Sequence, residues 1–94
     1  MLRVDDVTID TLSRVVKKND EIINLTVKEY EIILLFVRNK NIALFRDRIY
    51  KKVWGDVFMG DTRTVDLHVQ RMRKKLGWED KIVSIHKIGY RLEI

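Results

Sequence analysis

Apolar and polar residues alternate along this chain in three different rhythms. The first 24 residues hold short apolar stretches, Leu2 to Val4, Val7 to Ile9, Ser13 to Val16 and Glu21 to Ile23, separated by Asp5-Asp6, Asp10-Thr11 and Asn19-Asp20. Turn-forming residues every few positions predict a small antiparallel meander. The rhythm then becomes helical. Thr26 is placed to cap a helix, and Glu29, three residues on, to reach back as a capping box. A helix is predicted from Val27 to Val37, with Tyr30, Ile33, Leu34 and Val37 at helical spacing and Ile32, Leu35 and Phe36 broadening the apolar stripe, so its role is packing. Asn39-Lys40-Asn41 breaks the pattern. Ile42 to Phe45 reads as a short extended piece, and Arg46 to Val53 as a second helix burying Ile49, Tyr50 and Val53, ended by Trp54-Gly55.

The third helical segment, residues 61–76, carries the most chemistry. Val65, Val69, Met72 and Leu76 recur at i, i+4, i+7 and i+11, one stripe of an α-helix. The opposite side collects Arg63, Asp66, Leu67, Gln70, Arg71 and Lys74, with Arg73 and Lys75 on its flanks. Acidic residues sit in the first turns and basic ones crowd the end, which suits the helix dipole as well as a polyanion. Leu67 is an apolar residue in the middle of the polar face: useless against solvent, but able to pack on a thymine methyl in a major groove. After Gly77, the third rhythm is strand-like: Ile82 to Ile85 and Gly89 to Ile94, joined through His86-Lys87-Ile88-Gly89, predict a terminal β-hairpin with Tyr90, Leu92 and Ile94 on one face.

Composition narrows the function classes. Ninety-four residues suit one domain with a modest core. The net charge of +5 is uneven: residues 1–24 sum to −1, while residues 25–60 and 61–94 each sum to +3. An anionic partner is therefore expected on the side built by the last seventy residues. With no cysteine and two histidines far apart, neither a disulfide scaffold nor a dedicated transition-metal site is expected, and no cofactor. No apolar run approaches the roughly 20 residues that span a bilayer, so a soluble, cytoplasmic protein is expected. An enzyme is not expected, because Asp66 and His68 project roughly 200° apart on a helix and no glycine-rich phosphate loop is present.

Three helices followed by a hairpin, with the third helix basic on its outer face, make a winged helix-turn-helix, an α+β fold with an N-terminal antiparallel sheet. Blocks carried in order along nearly the whole chain make the resemblance specific: Leu2-Arg3-Val4, Leu25 to Glu31, Val53-Trp54-Gly55, Asp61 to His68 and Gly89 to Leu92. The chain resembles the DNA-binding effector domain of the OmpR/PhoB family of bacterial two-component response regulators. That resemblance implies a four-stranded N-terminal sheet, a three-helix core and a C-terminal wing. The third helix would enter the major groove and the wing would touch an adjacent minor groove of double-stranded DNA.

The family further implies a phosphorylatable receiver domain in the same chain, a sensor histidine kinase acting on it, and a dimer on direct repeats from a domain that is monomeric alone. Ninety-four residues hold one effector domain, 1–94, and no receiver, so the sequence is expected to come from a longer chain. The loop between the second and third helices would contact RNA polymerase. Its Val57, Phe58 and Met59 either fold onto the core or form such a docking patch. Docking of a protein partner there, with the basic face merely solvated, is the competing reading of the whole domain.

Carried over residue by residue, Arg63, Thr64 and His68 would bind phosphates, Gln70, Arg71 and Lys74 would lie toward the bases, and Leu67 would offer a methyl contact. Arg73, Lys75 and Lys87 would add backbone contacts, and Tyr90 in the wing would approach the backbone. Asp66 would either accept from a cytosine amino group or hold a neighbouring arginine. Three positions depart from the family pattern. Gln70 stands where arginine is common, favouring adenine over guanine. His86-Lys87 replaces the usual arginine-glycine pair of the wing, leaving Lys87 as a phosphate contact in place of a minor-groove arginine. Val27 replaces a proline after the capping threonine, which concerns helix entry only.

Overall fold

In the computed structural model, residues 1–55 and 62–94 are described. The expected polymerase-contacting residues Val57, Phe58 and Met59 lie outside them. Strands β1 (Leu2–Val4), β2 (Val7–Asp10), β3 (Val15–Lys18) and β4 (Glu21–Ile22) form an antiparallel meander in that spatial order. The turns use the residues that tolerate tight backbones. Asp10 Oδ1, for example, accepts from the backbone N–H groups of Leu12 and Ser13 at 3.0 and 3.3 Å.

Helix α1 (Val27–Arg38) starts on the predicted capping box: Thr26 Oγ1 accepts from Glu29 N at 3.2 Å, and Glu29 Oε1 accepts from Thr26 N at 2.8 Å. Two orphan donors of the first turn are thereby satisfied. Strand β5 (Leu44–Phe45) runs directly into helix α2 (Arg46–Trp54), and helix α3 (Arg63–Leu76) ends at Gly77. Gly77 has φ +65°, and its N–H and that of Trp78 return to the Lys74 and Arg73 carbonyls. Only glycine adopts this backbone freely, which is why the helix stops there.

The wing is β6 (Ile82–Ile85) and β7 (Gly89–Leu92), the hairpin read from the sequence. What alternation along the chain does not reveal is its third member. The sheet order is β5-β7-β6, with Leu44 opposite Tyr90 and Phe45 opposite Gly89. Gly89 makes this pairing possible, because a Cβ there would overlap the Leu44 carbonyl.

The core takes one face from each element. Val65, Val69, Met72 and Leu76 of α3 are fully buried, against Ile32, Ile33 and Phe36 of α1 and Ile49 of α2. Trp78, just past α3, and Ile82 and Leu92 of the wing close the same core. Tyr50 departs from the expected burial: it is half-exposed and stacks on Trp54, centroids 5.3 Å apart. Lys18 Nζ donates to the Leu76 carbonyl at 2.8 Å, tying the N-terminal sheet to the negative end of α3. Among the described residues no helix is long and apolar enough to cross a membrane.

Candidate nucleic-acid interface

The side chains of helix α3 outside the buried stripe fall into two populations. Arg63, Leu67, Gln70, Arg71 and Lys74 are exposed, spaced i, i+4, i+7, i+8 and i+11, diametrically opposite the buried stripe. Leu67 keeps 49% of its surface open. Among the described residues no hydrogen bond or ion pair engages the side chains of Gln70, Arg71 or Lys74. Their polar ends are available to an external ligand. Thr64 lies half-buried at the helix start beside them.

The second population, on the flanks of the buried stripe, is bonded within the protein. Arg73 is 8% exposed, and its Nη1 donates to the Ile82 carbonyl of the wing at 2.7 Å. In the structure the guanidinium read as a phosphate contact is engaged within the protein. At the flank of the buried stripe, its apolar stem follows the core and its guanidinium ends against β6. Tyr90, read as a backbone contact of the wing, is 2% exposed, and its hydroxyl donates to Asp66 Oδ1 at 2.5 Å. Lys75 Nζ, at the other flank, donates to Glu29 Oε1 at 2.6 Å, so the carboxylate that caps α1 also anchors the end of α3. Burial pushes the Glu29 carboxyl up, but the Lys75 ammonium and the Thr26 N–H outweigh it and hold the group below its ordinary range.

Asp66 is settled by a partner that sequence spacing does not disclose. Arg46 Nε, at the start of α2, donates to Asp66 Oδ1 at 2.9 Å, the oxygen that also accepts from Tyr90. Of the two roles left open for Asp66, holding an arginine is the one the geometry realises. Hydrogen bonding to Asp66 raises the Arg46 guanidinium above its ordinary value. Burial, reinforced by the bond to Asp66, pushes the Tyr90 phenol up to about 12, so it stays a donor at neutral pH. The guanidinium carbons of Arg46 and Arg73 lie 5.1 and 5.6 Å from the Tyr90 ring centroid. Wing, α2 and α3 thus meet on one tyrosine.

His68 packs edge-on against Trp54, centroids 5.0 Å apart, with Nδ1 2.7 Å from the Thr64 carbonyl. A carbonyl only accepts, so Nδ1 carries the proton and Nε2 is the atom left for other partners. At the tip of the wing, His86 and Lys87 are exposed. The tip is fastened at its base: Ile88 N donates to the Ile85 carbonyl at 3.0 Å, and Arg46 N to the Ile88 carbonyl at 3.1 Å.

A three-helix core, an exposed basic stripe on the third helix and a pinned β-wing define a winged helix-turn-helix of the type that presents a recognition helix. The chain belongs to the family of transcriptional regulatory protein C-terminal domains, whose model matches residues 18–92, and within it to the OmpR/PhoB-type response regulators. That family is one of transcription regulators, not of enzymes.

Similarity extends over the full domain. The transcriptional regulatory protein YclJ of Bacillus subtilis is 38% identical over 96 residues, covering 99% of this chain and 42% of YclJ. The sensory transduction protein RegX3 of Mycobacterium tuberculosis is 33% identical over 97 residues, covering 99% of this chain and 43% of RegX3. The chain therefore spans less than half the length of these curated relatives. Among solved structures, the DNA-binding domain of Bacillus subtilis CssR superimposes with a TM-score of 0.84 at 39% identity, covering 92% of this chain and 98% of that one. The DNA-binding domain of the response regulator AdeR, solved in complex with an intercistronic region, gives 0.84 at 28% identity, covering 99% and 98%.

Proposed function

We propose that this domain binds double-stranded DNA sequence-specifically, as the effector of a bacterial two-component transcription regulator acting in the cytoplasm. Helix α3 lies in the major groove and the wing reaches the adjacent minor groove. The observation that carries this reading is the exposed stripe of α3, in which the side chains of Gln70, Arg71 and Lys74 engage no partner among the described residues, on a helix whose other side is buried and pinned. Arg63, Thr64, Lys74 and, with Nε2 also protonated so that it donates, His68 serve the phosphates, which supply affinity; Leu67, Gln70 and Arg71 face base edges, which supply specificity. Lys75, already paired with Glu29, contributes field more than contact.

The length that the relatives have beyond this domain supports a receiver domain elsewhere in the full chain, phosphorylated through a sensor histidine kinase. The domain is a monomer alone and pairs on direct repeats. The segment holding Val57, Phe58 and Met59 contacts RNA polymerase.

In vitro selection from random duplexes tests the central claim. Enrichment of direct repeats is expected, with binding that weakens steeply with salt, log K falling by about 0.9 per log salt for each phosphate contacted. Failure to enrich any sequence at low salt would overturn it. A Gln70→Arg variant should move the preferred base at one position of each repeat from adenine to guanine.

A further inference from the structure

A neutral His68 would meet a DNA phosphate as one acceptor meeting another. The residue lies one turn after Thr64 at the edge of the exposed stripe of α3, half-buried. Its Nδ1 is 2.7 Å from the Thr64 carbonyl, and its ring packs edge-on against Trp54. Nδ1 therefore donates, and a flip of the ring would forfeit that bond. Nε2 of the neutral ring is left with a lone pair, and a phosphodiester oxygen also only accepts.

The surroundings offer no counter-charge for an imidazolium in the free domain. Helix α2 presents the Trp54 ring, and α1 brings the Lys28 ammonium to 5.7 Å from that ring's centroid, with Glu31 3.8 Å from the same ammonium. On α3 itself, Arg71 stands three residues on, and Lys75, two turns on, is bonded to Glu29. Asp66 projects elsewhere and is held by Arg46 and Tyr90. Among the described residues no carboxylate bonds to His68.

We propose that duplex binding by this domain takes up a proton from solvent at His68: a backbone phosphate seated against Nε2 stabilises the imidazolium, which donates from one nitrogen to Thr64 and from the other to the phosphate. The inference rests on the DNA-binding reading above and gives that surface a regulation by pH. Imidazoles change charge between about pH 5 and 8, where phosphodiesters do not titrate. An anion against the ring favours its charged form. The contact is then complete in mild acid and is lost as pH rises.

Calorimetry on a duplex carrying the selected repeat, in buffers of different ionisation enthalpy, reads the proton directly on the wild-type domain. A net uptake of roughly 0.3 to 1 proton per bound domain is expected near neutral pH. By anisotropy, Kd should tighten about three- to tenfold from about pH 8 to about pH 6, and the salt slope should steepen by up to about 0.9. His68→Gln keeps a donor without a titrating group and should lose most of this pH dependence. His68→Arg, charged throughout, should show the steeper slope already in mild base. The chain's other histidine supplies the control, since His86→Gln should keep the pH dependence. Binding without proton uptake would overturn the assignment, as would a pH dependence that survives in His68→Gln and disappears in His86→Gln. If the wild-type domain bound no duplex at any pH, the DNA-binding reading would fall and this inference with it. Tight binding that ignores pH would reject the proton uptake alone.

Discussion

The two sides of helix α3 that carry polar residues are similar in composition and opposite in use. On one, the side chains of Gln70, Arg71 and Lys74 are exposed and engage no partner among the described residues; on the flanks of the buried stripe, Asp66 and Arg73 at one edge and Lys75 at the other are each bonded to a residue elsewhere in the chain. A basic residue on a recognition helix is therefore not by that fact a ligand for DNA. What distinguishes the two sides is whether the fold supplies a buried acceptor within reach of the side chain.

The comparison breaks most visibly if Arg73 is truncated. Arg73→Ala leaves the Ile82 carbonyl without its donor and opens a void beside Tyr90, so unfolding free energy should fall by about 3 kcal/mol. Chemical denaturation measures this. The companion Arg73→Met, which keeps the apolar stem, should bind DNA with the wild-type salt slope; a slope reduced by about 0.9 would place Arg73 on the ligand side after all.

Lys75→Ala comes next, at about 2 kcal/mol, because it strands a carboxylate that is 1% exposed. Its pH dependence identifies the cause. Glu29 is held below its ordinary 4.5, so the stability it contributes is present above that value and is lost as pH falls through the lower folded-state value. The deficit of Lys75→Ala should accordingly shrink in acid as Glu29 protonates in both proteins. A deficit independent of pH would mean that the ammonium acts by packing alone.

Arg71→Ala tests the ligand side. It should cost about 1–3 kcal/mol on a selected duplex, little on a random one, and leave Tm unchanged. Equal losses on both duplexes would make Arg71 a phosphate contact. The smallest effect belongs to Tyr90→Phe, about 1 kcal/mol for the hydroxyl bonded to Asp66. The phenol is raised from 10.0 to about 12, so this contribution is complete below the unfolded-state value and is lost as pH rises through the folded one. Ultraviolet titration should lose a tyrosinate step near that value in the variant.

Much of this arrangement is legible in the chain, for reasons that are local. The stripe of Val65, Val69, Met72 and Leu76 follows from helical geometry, and the Thr26–Glu29 box from a four-residue motif; both are found where expected. What the sequence does not disclose are the internal partners of long side chains that can choose between two environments. Arg73 and Lys75 sit at the flanks of the stripe, where several rotatable bonds can carry the charged end to solvent or to an interior acceptor, and the acceptors lie 9 and 46 residues away. Tyr90 and Asp66, 24 residues apart, pose the same problem. The pairing of Leu44–Phe45 with the wing escaped for another reason: a two-residue strand has no period to detect.

That short strand has a kinetic consequence. Because β5 continues into α2 without a loop and pairs with β7, the wing is continuous in hydrogen bonding with the helix that supports α3. It has no hinge of its own about which to swing as a flap. Association with a duplex should then follow a single exponential, its rate proportional to DNA concentration and without a slower unimolecular step for wing closure, since little ordering entropy remains to be lost at the moment of encounter.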